Sequence, residues 1–530
     1  MELNYRVADR TGRWILLTTV LASSMAFIDG SALNVALSEL QIDLGASGAE
    51  LLWIVNSYLL FLAALILLGG ALGDRYGRKR VFGYGIGLFA LASLAAGLAP
   101  GTTWLIAARA VQGVGGAMMV PGSLAIIAAS FSPSDSGKAI GIWSSASTVT
   151  TIGGPILGGV LAGAGLWRAV FFINLPLAAI ALYSLRHVPE SRDENAPERL
   201  DYPGAALAVL GLIGLTYGLI TLGDRGLENA RDDAGVLISL IAGVLALIVF
   251  VIVERRSTHP MLRLSLFQSR TFTGANAMTA FLYGALGGAI FFLPLNLIQV
   301  QGYDASVAGL TMLPFSLLLA GLSPLAGAFA DRYGPRVPLT LGPAITGIGF
   351  LLLILPGVTG GPHDYWTTYL PGILGIGLGM GITVAPLSNT VMTAVSSSQA
   401  GTASGINNAV SRLAQVLATA ALGALALGAF SSGLETRTAQ IDLPAQARET
   451  LLAHTSDLAN TEPPPGLAPE TQQAVEGAIQ DAFVEAFRWV FGVAVALAWL
   501  SALCAATLIE PGRLRSQSEP QSARLGAGDD

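Results

Sequence analysis

The stretch Gly70-Ala-Leu-Gly-Asp74-Arg75-Tyr76-Gly77-Arg78 is echoed by Gly327-Ala-Phe-Ala-Asp331-Arg332-Tyr333-Gly334-Pro335-Arg336 in the second half of the sequence. Each copy is a short charged turn between two long apolar runs. A glycine-rich run that ends at Pro121 likewise returns before Pro386, and a third pair of short motifs repeats at a similar offset. Gly-Asp-Arg-x-Gly alone is also simply a good tight turn, but three echoes at similar spacing indicate a duplicated chain.

Apolar runs continue outward from these turns along the whole chain. Of the 530 residues, 53% are apolar and only 12% are charged, which is too few charges to cover a soluble body of this size. About 20 residues of helix cross a bilayer, and we count fourteen runs of suitable length. They lie near residues 13–37, 51–73, 81–99, 103–130, 139–163, 167–185, 204–223, 234–253, 272–298, 307–330, 337–356, 367–393, 402–429 and 487–509. We therefore predict an all-α integral membrane protein with fourteen transmembrane helices.

The Lys and Arg residues predict which ends of the spans face the cytoplasm, because cytoplasmic loops of membrane proteins are enriched in both. If the N-terminus lies in the cytoplasm, most of the 28 Lys and Arg residues fall on the cytoplasmic side. The even number of spans then returns the C-terminus to the same side. Arg far outnumbers Lys, and Ala and Gly are abundant, which is typical of a bacterial gene rich in G and C. We therefore expect the bacterial plasma membrane.

The repeat divides the spans into two six-helix halves with an insert between them. We assign residues 1–200 to the N-terminal half, 201–271 to two inserted helices and a linker, and 272–512 to the C-terminal half. Residues 430–486 are too polar to span and predict a long outside loop with a short surface helix near 467–486, and residues 513–530 predict a disordered cytoplasmic tail. Membrane proteins built from two such halves are usually transporters, with the site between the halves.

Composition excludes several other classes of function. The net charge of −6 leaves no basic face for nucleic acid. The single cysteine, Cys504, permits neither an internal disulfide nor a thiolate metal cage, and the four histidines are far apart in the sequence. The glycine-rich runs lie inside spans rather than after a strand, and the sequence has no Walker loop. We therefore expect neither an enzyme nor a bound cofactor, and no ATP-driven motor within this chain.

Three charged residues lie in the middle of spans rather than at their ends: Asp29, Arg109 and Arg412. A charge in mid-span costs at least about 2.5 kcal/mol, so intramembrane charges are usually functional. Asp29 and Arg109 lie at similar depths, so they can meet and offset each other's burial cost. A desolvated carboxylate can take up a proton, whereas a neighbouring guanidinium holds it ionised. Asp29 and Arg109 are therefore our candidates for proton coupling, and the alternative is a static buried pair that joins two spans.

Polar residues around Arg412 predict a helix face directed at a water-filled cavity. Spacings of three and four place Asn408, Ser411, Arg412 and Gln415 on one helical stripe. Hydrogen bonds from Arg412 to neighbouring backbone carbonyls are the alternative. Our candidates for a substrate cavity are polar residues of the first, fourth and thirteenth spans: Asn34, Gln112, Asn407, Asn408, Ser411, Arg412 and Gln415.

The charged turns are candidates for a conformational switch. An arginine-rich turn also serves as a simple cytoplasmic anchor, but that role does not explain the acid Asp74. A carboxylate can accept hydrogen bonds from a helix N-terminus or from an arginine of a neighbouring span, and such a bond can form in one conformation and break in another. The candidates are Gly70, Asp74, Arg75, Gly77 and Arg78 in the first copy, with Asp331 and Arg332 in the second.

These motifs together resemble those of the major facilitator superfamily, in particular its fourteen-span drug:proton antiporters. Residues 70–80 are similar to the signature loop between spans two and three. Asp29 and the run Asn34-Val35-Ala36-Leu37 resemble the span-one motif, with Ser31 and Ser38 in place of its usual Thr and Pro. The span-four motif, whose arginine is linked to proton coupling in the family, is matched by Leu105, Arg109, Gln112, Gly113 and Ala117.

The fifth span carries the resemblance that bears most directly on the direction of transport. Gly154, Pro155, Gly158 and Gly159 resemble the antiporter motif that marks exporters, with Thr150 in place of its usual leading glycine. The resemblance implies two six-helix halves with two inserted central helices. It also implies a proton-coupled efflux transporter that exports hydrophobic or amphipathic drugs or antibiotics by alternating access, driven by the proton gradient without a cofactor.

The cargo is less closely specified by the resemblance. Members of the family that favour dications often carry extra acids in the C-terminal spans, and our spans ten and thirteen have none. We therefore expect neutral, amphipathic or anionic cargo at least as readily as dications. One alternative is a dedicated exporter of a single endogenous metabolite or antibiotic, and another is a non-transporting membrane sensor or scaffold, favoured by the loop 430–486. Expected partners are a small-molecule substrate, protons and the lipid bilayer, with no nucleic acid, and the expected state is a monomer.

Overall fold

The computed structural model describes residues 4–193, 200–231, 233–396 and 399–512. Apart from one bridge between Tyr5 and Phe131, every regular element in these ranges is helical. The predicted all-α membrane fold is therefore confirmed. The tail predicted over 513–530 lies outside the described residues.

The long helices follow the order of the predicted spans, and we number them α1 to α14. Thirteen are long and apolar enough to cross a membrane, and α6 is a shorter apolar helix interrupted at Ile173. The first seven are α1 (Arg10–Leu44), α2 (Gly48–Tyr76), α3 (Arg78–Gly97), α4 (Thr102–Ser130), α5 (Pro133–Gly163), α6 (Ala169–Leu185) and α7 (Tyr202–Arg231). The others are α8 (Ala234–Arg256), α9 (Arg270–Leu295), α10 (Ala305–Tyr333, interrupted at Met312), α11 (Arg336–Ile354), α12 (Leu370–Thr393), α13 (Ala400–Thr438) and α14 (Pro469–Leu508).

The connection between α13 and α14 differs from the sequence prediction. Within residues 430–486, α13 runs on to Thr438 and α14 begins at Pro469, so the connection is confined to residues 439–468. The surface helix predicted near 467–486 is the first part of α14, where charged residues on one face lower the hydropathy while the opposite face packs inward. That inward face consists of Val475, Ile479 and Phe483, which are all buried. The remaining residues 439–468 hold the short helix Ala445–Ala453 and a 3₁₀ turn.

The two sets of six helices pair in the same way. In the N-terminal set, α1 packs on α5 and α6, α4 packs on α2 and α3, and α3 packs on α6. In the C-terminal set, α9 packs on α13 and α14, α12 packs on α10 and α11, and α11 packs on α14. Each helix of the first set therefore corresponds to the helix eight places later in the second. The boundaries proposed at residues 200, 271 and 512 remain predictions.

The halves meet along two seams that the repeat makes equivalent. One seam joins α2 to α13, and the other joins α5 to α10. Helices α7 and α8 form a hairpin in which α7 packs against both α2 and α13. The hairpin therefore covers the first seam and not the second. Its helix α8 turns a largely exposed, apolar surface outward, which suits contact with lipid.

The side of the molecule that carries the 439–468 connection, which we expect to face outward, is closed between the halves. Gln299 of the segment after α9 donates to Gln41 of α1 at 2.7 Å, and Gln41 donates in turn to the carbonyl of Asp457 at 3.1 Å. On the same side, Gly159 of α5 packs against the backbone of α10 at Ala305. At the opposite end, α5 leaves Gly137 and Ser145 exposed.

Candidate proton and substrate site

Asp29 lies in the middle of α1 and Arg109 in α4, and the structure brings the two together. Their side chains are 0% and 1% exposed, and Arg109 Nη1 donates directly to Asp29 Oδ2. Both charged groups of an ion pair buried at this depth lose their hydration. The pair is therefore stable only where further hydrogen bonds compensate the two charges. Both residues have such bonds.

Gln112 of α4 connects the acid and the base. Its side-chain oxygen accepts from Arg109 Nη1 at 2.7 Å, and its Nε2 donates to Asp29 Oδ1 at 2.7 Å. Nε2 also lies 2.9 Å from Ser93 Oγ of α3. We expected Gln112 to line a cavity. Its side chain is 0% exposed, so it belongs to this buried network instead.

Two more helices complete the network around the carboxylate. Asn174, beside the interruption of α6, donates to Ser93 Oγ at 3.2 Å and lies 3.5 Å from Asp29 Oδ1. From α2, the carbonyl of Ile54 accepts from Arg109 Nε at 3.3 Å, and the Tyr58 ring lies 4.3 Å from the guanidinium carbon. Five helices of the N-terminal set, α1, α2, α3, α4 and α6, therefore meet at one carboxylate and one guanidinium.

This arrangement makes the charge of Asp29 decisive for its neighbours. An ionised carboxylate accepts from Arg109, Gln112 and Asn174, whereas a protonated one becomes a donor and loses the ion pair. Loss of that pair would leave Arg109 as a buried cation without a counter-charge, which is strongly unfavourable. A proton on Asp29 would therefore disfavour the packing of these helices that the structure shows.

Two glycines of the antiporter-like motif on α5 pack against α1 next to Asp29. A Cβ atom at Gly154 would overlap Ser31 Oγ, and one at Gly158 would overlap the backbone of Ala32. Helix α5 can therefore approach α1 closely two and three residues after Asp29. On its other face α5 touches α10, because the carbonyl of Pro155 lies against Gly309 and that of Ala305 against Gly159.

The first charged turn is held within the N-terminal half. Asp74 accepts from Arg78 at 2.8 Å, and Gly77 adopts a φ of 111° that allows α2 to turn directly into α3. Arg75 lies over the Tyr76 ring, and Gly70 packs against Pro121. Glu190, which no sequence pattern singles out, accepts from the backbone N–H groups of Lys79 and Arg80 at the start of α3.

The second charged turn is likewise held within its own half. Asp331 accepts from Asn389 of α12 at 2.7 Å, and Arg332 lies over the Tyr333 ring. Neither acid therefore bonds to the opposite half in this conformation, so any latch between the halves would have to form in another one.

The remaining cavity candidates fall into two groups. Asn407 faces α9, donating to Asn276 and to Thr279 Oγ1 at 3.2 and 2.8 Å. Asn34 donates to the Gly30 carbonyl of its own helix, and both Asn34 and Ser411 are buried. The second group, Asn408, Arg412 and Gln415, stays exposed or partly exposed on α13. Across the described ranges, His, Cys, Asp and Glu side chains nowhere gather in the threes that a metal site requires.

One family model and three known proteins show what this chain is similar to in sequence. The family model described as Major Facilitator Superfamily matches residues 19–419. Multidrug resistance protein Stp of Mycobacterium tuberculosis is 35% identical over 429 residues, 81% of this chain and 78% of that protein. The tetracenomycin C resistance and export protein of Streptomyces glaucescens is 30% identical over 92% of this chain and 90% of its own. The methyl viologen resistance protein SmvA of Salmonella typhimurium is 32% identical over 92% and 95%.

Solved structures share the fold at lower sequence identity. A bacterial homologue of the human lysosomal transporter Spinster, in an inward-facing and occupied conformation, superposes with a TM-score of 0.63. It covers 96% of this chain and 100% of its own, at 19% identity, so the likeness concerns the fold alone.

Proposed function

The chain belongs to the Major Facilitator Superfamily, and we propose that it couples the export of its cargo to the inward movement of protons through Asp29. Its relatives are named for drug resistance and antibiotic export, and the chain is an efflux transporter of small molecules rather than an enzyme. It is a multi-pass membrane protein. Residence in the plasma membrane with both termini in the cytoplasm, and a monomeric state, are parts of the proposal.

The observation that carries the proposal is the fully buried carboxylate of Asp29, bonded to Arg109, Gln112 and Asn174. A purely structural pair would need only two helices, whereas this network gathers five. Each of those helices contributes a group to the network around the Asp29–Arg109 pair, so the interactions of each helix change when Asp29 takes up a proton. The network therefore gives one proton a means of changing the packing of a whole half.

In the proposed cycle, a proton leaves Asp29 toward the cytoplasm and the pair with Arg109 forms before cargo binds. An Asp29–Arg109 pair together with a closed outer side is consistent with that step. Once cargo binds and the halves rock, an outside proton reaches Asp29 and breaks the pair. Cargo then leaves outward, and the protonated protein returns.

Helix α5 provides the mechanical link between the proton site and the outer seam. It touches α1 beside Asp29 through Gly154 and Gly158, and it touches α10 through Pro155 and Gly159. A shift of α1 therefore reaches the contact between the halves through one rigid helix. Each pH unit of gradient contributes about 1.4 kcal/mol per proton to this work.

The experiment uses purified full-length protein in proteoliposomes loaded with one of three compounds for which relatives are named: tetracenomycin C, puromycin or methyl viologen. Acidifying the side that corresponds to the cell exterior should drive export by the wild type. Asp29→Asn keeps the shape of the side chain but cannot release a proton, so export driven by the pH gradient should disappear while the protein stays folded and monodisperse.

Asp43→Asn is the matched control, because Asp43 is an exposed acid of the same helix paired with Arg168. Its export should resemble that of the wild type. Undiminished pH-driven export by Asp29→Asn would refute proton coupling through this residue.

The second candidate, a dedicated exporter of one compound, is supported by relatives whose names carry single antibiotics. The same panel decides between breadth and dedication, since a dedicated exporter moves at most one of the three compounds. The sensor or scaffold alternative rested on a loop over 430–486, but α13 and α14 occupy residues 430–438 and 469–486, which leaves only 439–468 as the connection.

A further inference from the structure

One face of α13 stays polar and accessible from its cytoplasmic end to its middle. The residues on this face are Gly401, Ser404, Asn408, Arg412 and Gln415. Spacings of three and four residues place them in one line along the helix. Gly401 and Asn408 are exposed and the other three partly so, whereas Ile406 and Val416 on other faces of the helix are fully buried. A polar, accessible line through an apolar helix marks the wall of a wet passage.

The neighbours of α13 place this line between the two halves. On one flank, Val416 packs with Leu60, Ala63 and Ala64 of α2. On the other flank, Asn407 bonds to α9. The line of polar residues lies between those flanks, and α2 belongs to the N-terminal half while α9 belongs to the C-terminal half.

The helix that bears Arg412 contacts one of the five helices of the proton site. Val416, four residues after Arg412, packs on α2, and Tyr58 of the same α2 lies over the Arg109 guanidinium. Helix α13 therefore connects the polar line directly to a helix of the proton site.

The two membrane-embedded arginines differ in their partners. Arg109 has a carboxylate, a side-chain amide and a backbone carbonyl. Among the described residues, Arg412 donates only to Gln415 Oε1, at 3.3 Å, and no carboxylate lies within ion-pair distance of it. A guanidinium has five N–H donors, and an uncompensated charge at this depth is costly.

We propose that Arg412 binds an anionic group of the cargo, a carboxylate or sulfonate on an aromatic or otherwise amphipathic molecule. The planar guanidinium matches such groups through paired hydrogen bonds. The cargo thereby supplies the counter-charge that the described residues lack. This inference rests on the proposed function, because it takes the passage to be the cargo route of an exporter.

The test compares two fluorescent dyes that differ by one charge. Anilinonaphthalene sulfonate and N-phenylnaphthylamine share the same ring system, and only the first carries an anionic group. Binding of each to the purified full-length protein is measured in detergent by fluorescence titration. The wild type should bind the sulfonate roughly tenfold more tightly than the amine, which is the usual effect of one charge-assisted hydrogen bond.

Three variants locate the preference. Arg412→Gln should lose roughly tenfold in affinity for the sulfonate and keep its affinity for the amine, whereas Arg412→Lys should retain most of the preference because it keeps the charge. Arg263→Gln removes one exposed positive charge in the segment after α8 and should change neither affinity. Equal binding of the two dyes by the wild type would overturn the proposal. So would a loss by Arg412→Gln that is equal for both dyes or is matched by Arg263→Gln.

The binding test separates this inference from the proposed function. It involves no gradient, so a sulfonate preference that depends on Arg412 stands even if Asp29→Asn leaves export unchanged. Conversely, pH-driven export by the wild type together with equal dye binding would sustain the proposed function and refute the role of Arg412.

Discussion

Gln112 makes three hydrogen bonds inside the buried network, to Arg109, Asp29 and Ser93. It is the residue that orients the acid relative to the base, since it accepts from one and donates to the other. We therefore expect a replacement of Gln112 to affect the proton site strongly, although the residue carries no charge.

Replacing Gln112 by leucine should destabilise the protein and weaken coupling. The change leaves Arg109 and Asp29 each one bond short, and a buried group left without its partner costs about 1–3 kcal/mol. We expect a lower midpoint of thermal unfolding in detergent. We also expect the pH profile of the export rate to differ from that of the wild type.

Ser184→Ala serves as the control for Gln112→Leu, because Ser184 Oγ is buried without a recorded partner. It should unfold at nearly the wild-type temperature. Equal stability of Gln112→Leu and the wild type would show that the bonds seen around Gln112 contribute nothing.

The sequence allowed part of this site to be predicted. Asp29 and Arg109 stand out because charges are rare in apolar runs, and the structure places them together. Ser93 and Asn174 could not be singled out, because uncharged polar residues are common in transmembrane helices and only the packing decides which of them meet. Gln112 was selected by its motif but assigned to the cavity, since one helix alone does not tell which face points inward.

At the scale of elements, α5 contacts two neighbouring helices through glycines, which have no side chain. Gly154 and Gly158 allow its approach to α1, while Gly159 allows its approach to α10. The neighbouring Gly153 has nothing within 4 Å of the position that a Cβ would take. The same helix therefore offers both a sensitive glycine and a tolerant one.

Gly158→Val should separate α5 from α1 and impair export. The added atoms would overlap the backbone of Ala32, which cannot move away as a flexible side chain could, and overpacking of this kind costs about 1–3 kcal/mol. Thermal unfolding and pH-driven export measure the two effects.

Gly153→Val should be tolerated in the same assays, because its side chain enters open space. If both variants lose export to the same degree, close contact with α1 is not the reason for the glycines of α5.

The helices themselves were largely predictable, but their ends were not. Long apolar runs bounded by charges correspond to the helices, because a bilayer demands them. The predicted last span, 487–509, and the short surface helix predicted near 467–486 form one continuous helix, α14, whose first turns carry Glu470, Glu476 and Asp481. Those turns are amphipathic and precede the apolar run, so a prediction based on mean hydropathy begins the span too late in the sequence.

At the scale of the whole molecule, the seam between α5 and α10 is close enough to be cross-linked. A Cβ at Gly163 would lie 3.5 Å from Ser306 Cβ, which suits a disulfide. The single native cysteine, Cys504, lies near the end of α14 and can be replaced by serine beforehand.

The double variant Gly163→Cys and Ser306→Cys should hold the outer side closed once it is oxidised. Export should then fall to the background of empty liposomes and return when a reductant is added, because alternating access requires this seam to open. Each single variant, treated with the same oxidant, should export normally. Full export by the oxidised pair, with the cross-link verified on a gel, would show that the seam stays closed throughout the cycle.

The repeated turns allowed the pairing of the halves to be anticipated, since a duplicated sequence folds into duplicated helices. The placement of the α7–α8 hairpin against one seam could not be foreseen, because its apolar runs carry no mark that distinguishes the α2–α13 side from the α5–α10 side. Distances across the molecule depend on how the two halves dock, which sequence periodicity does not encode.

The lone guanidinium of Arg412 also bears on how the membrane voltage acts on export. A cycle that brings one proton in on Asp29 and takes one anion out on Arg412 transfers two elementary charges in the same electrical sense. At about 2.3 kcal/mol per charge for each 100 mV, an interior-negative potential then drives such a cycle twice as strongly as it drives the exchange of a proton for a neutral molecule. A cell in alkaline surroundings, with no useful pH difference across its membrane, could still expel anionic compounds by this route.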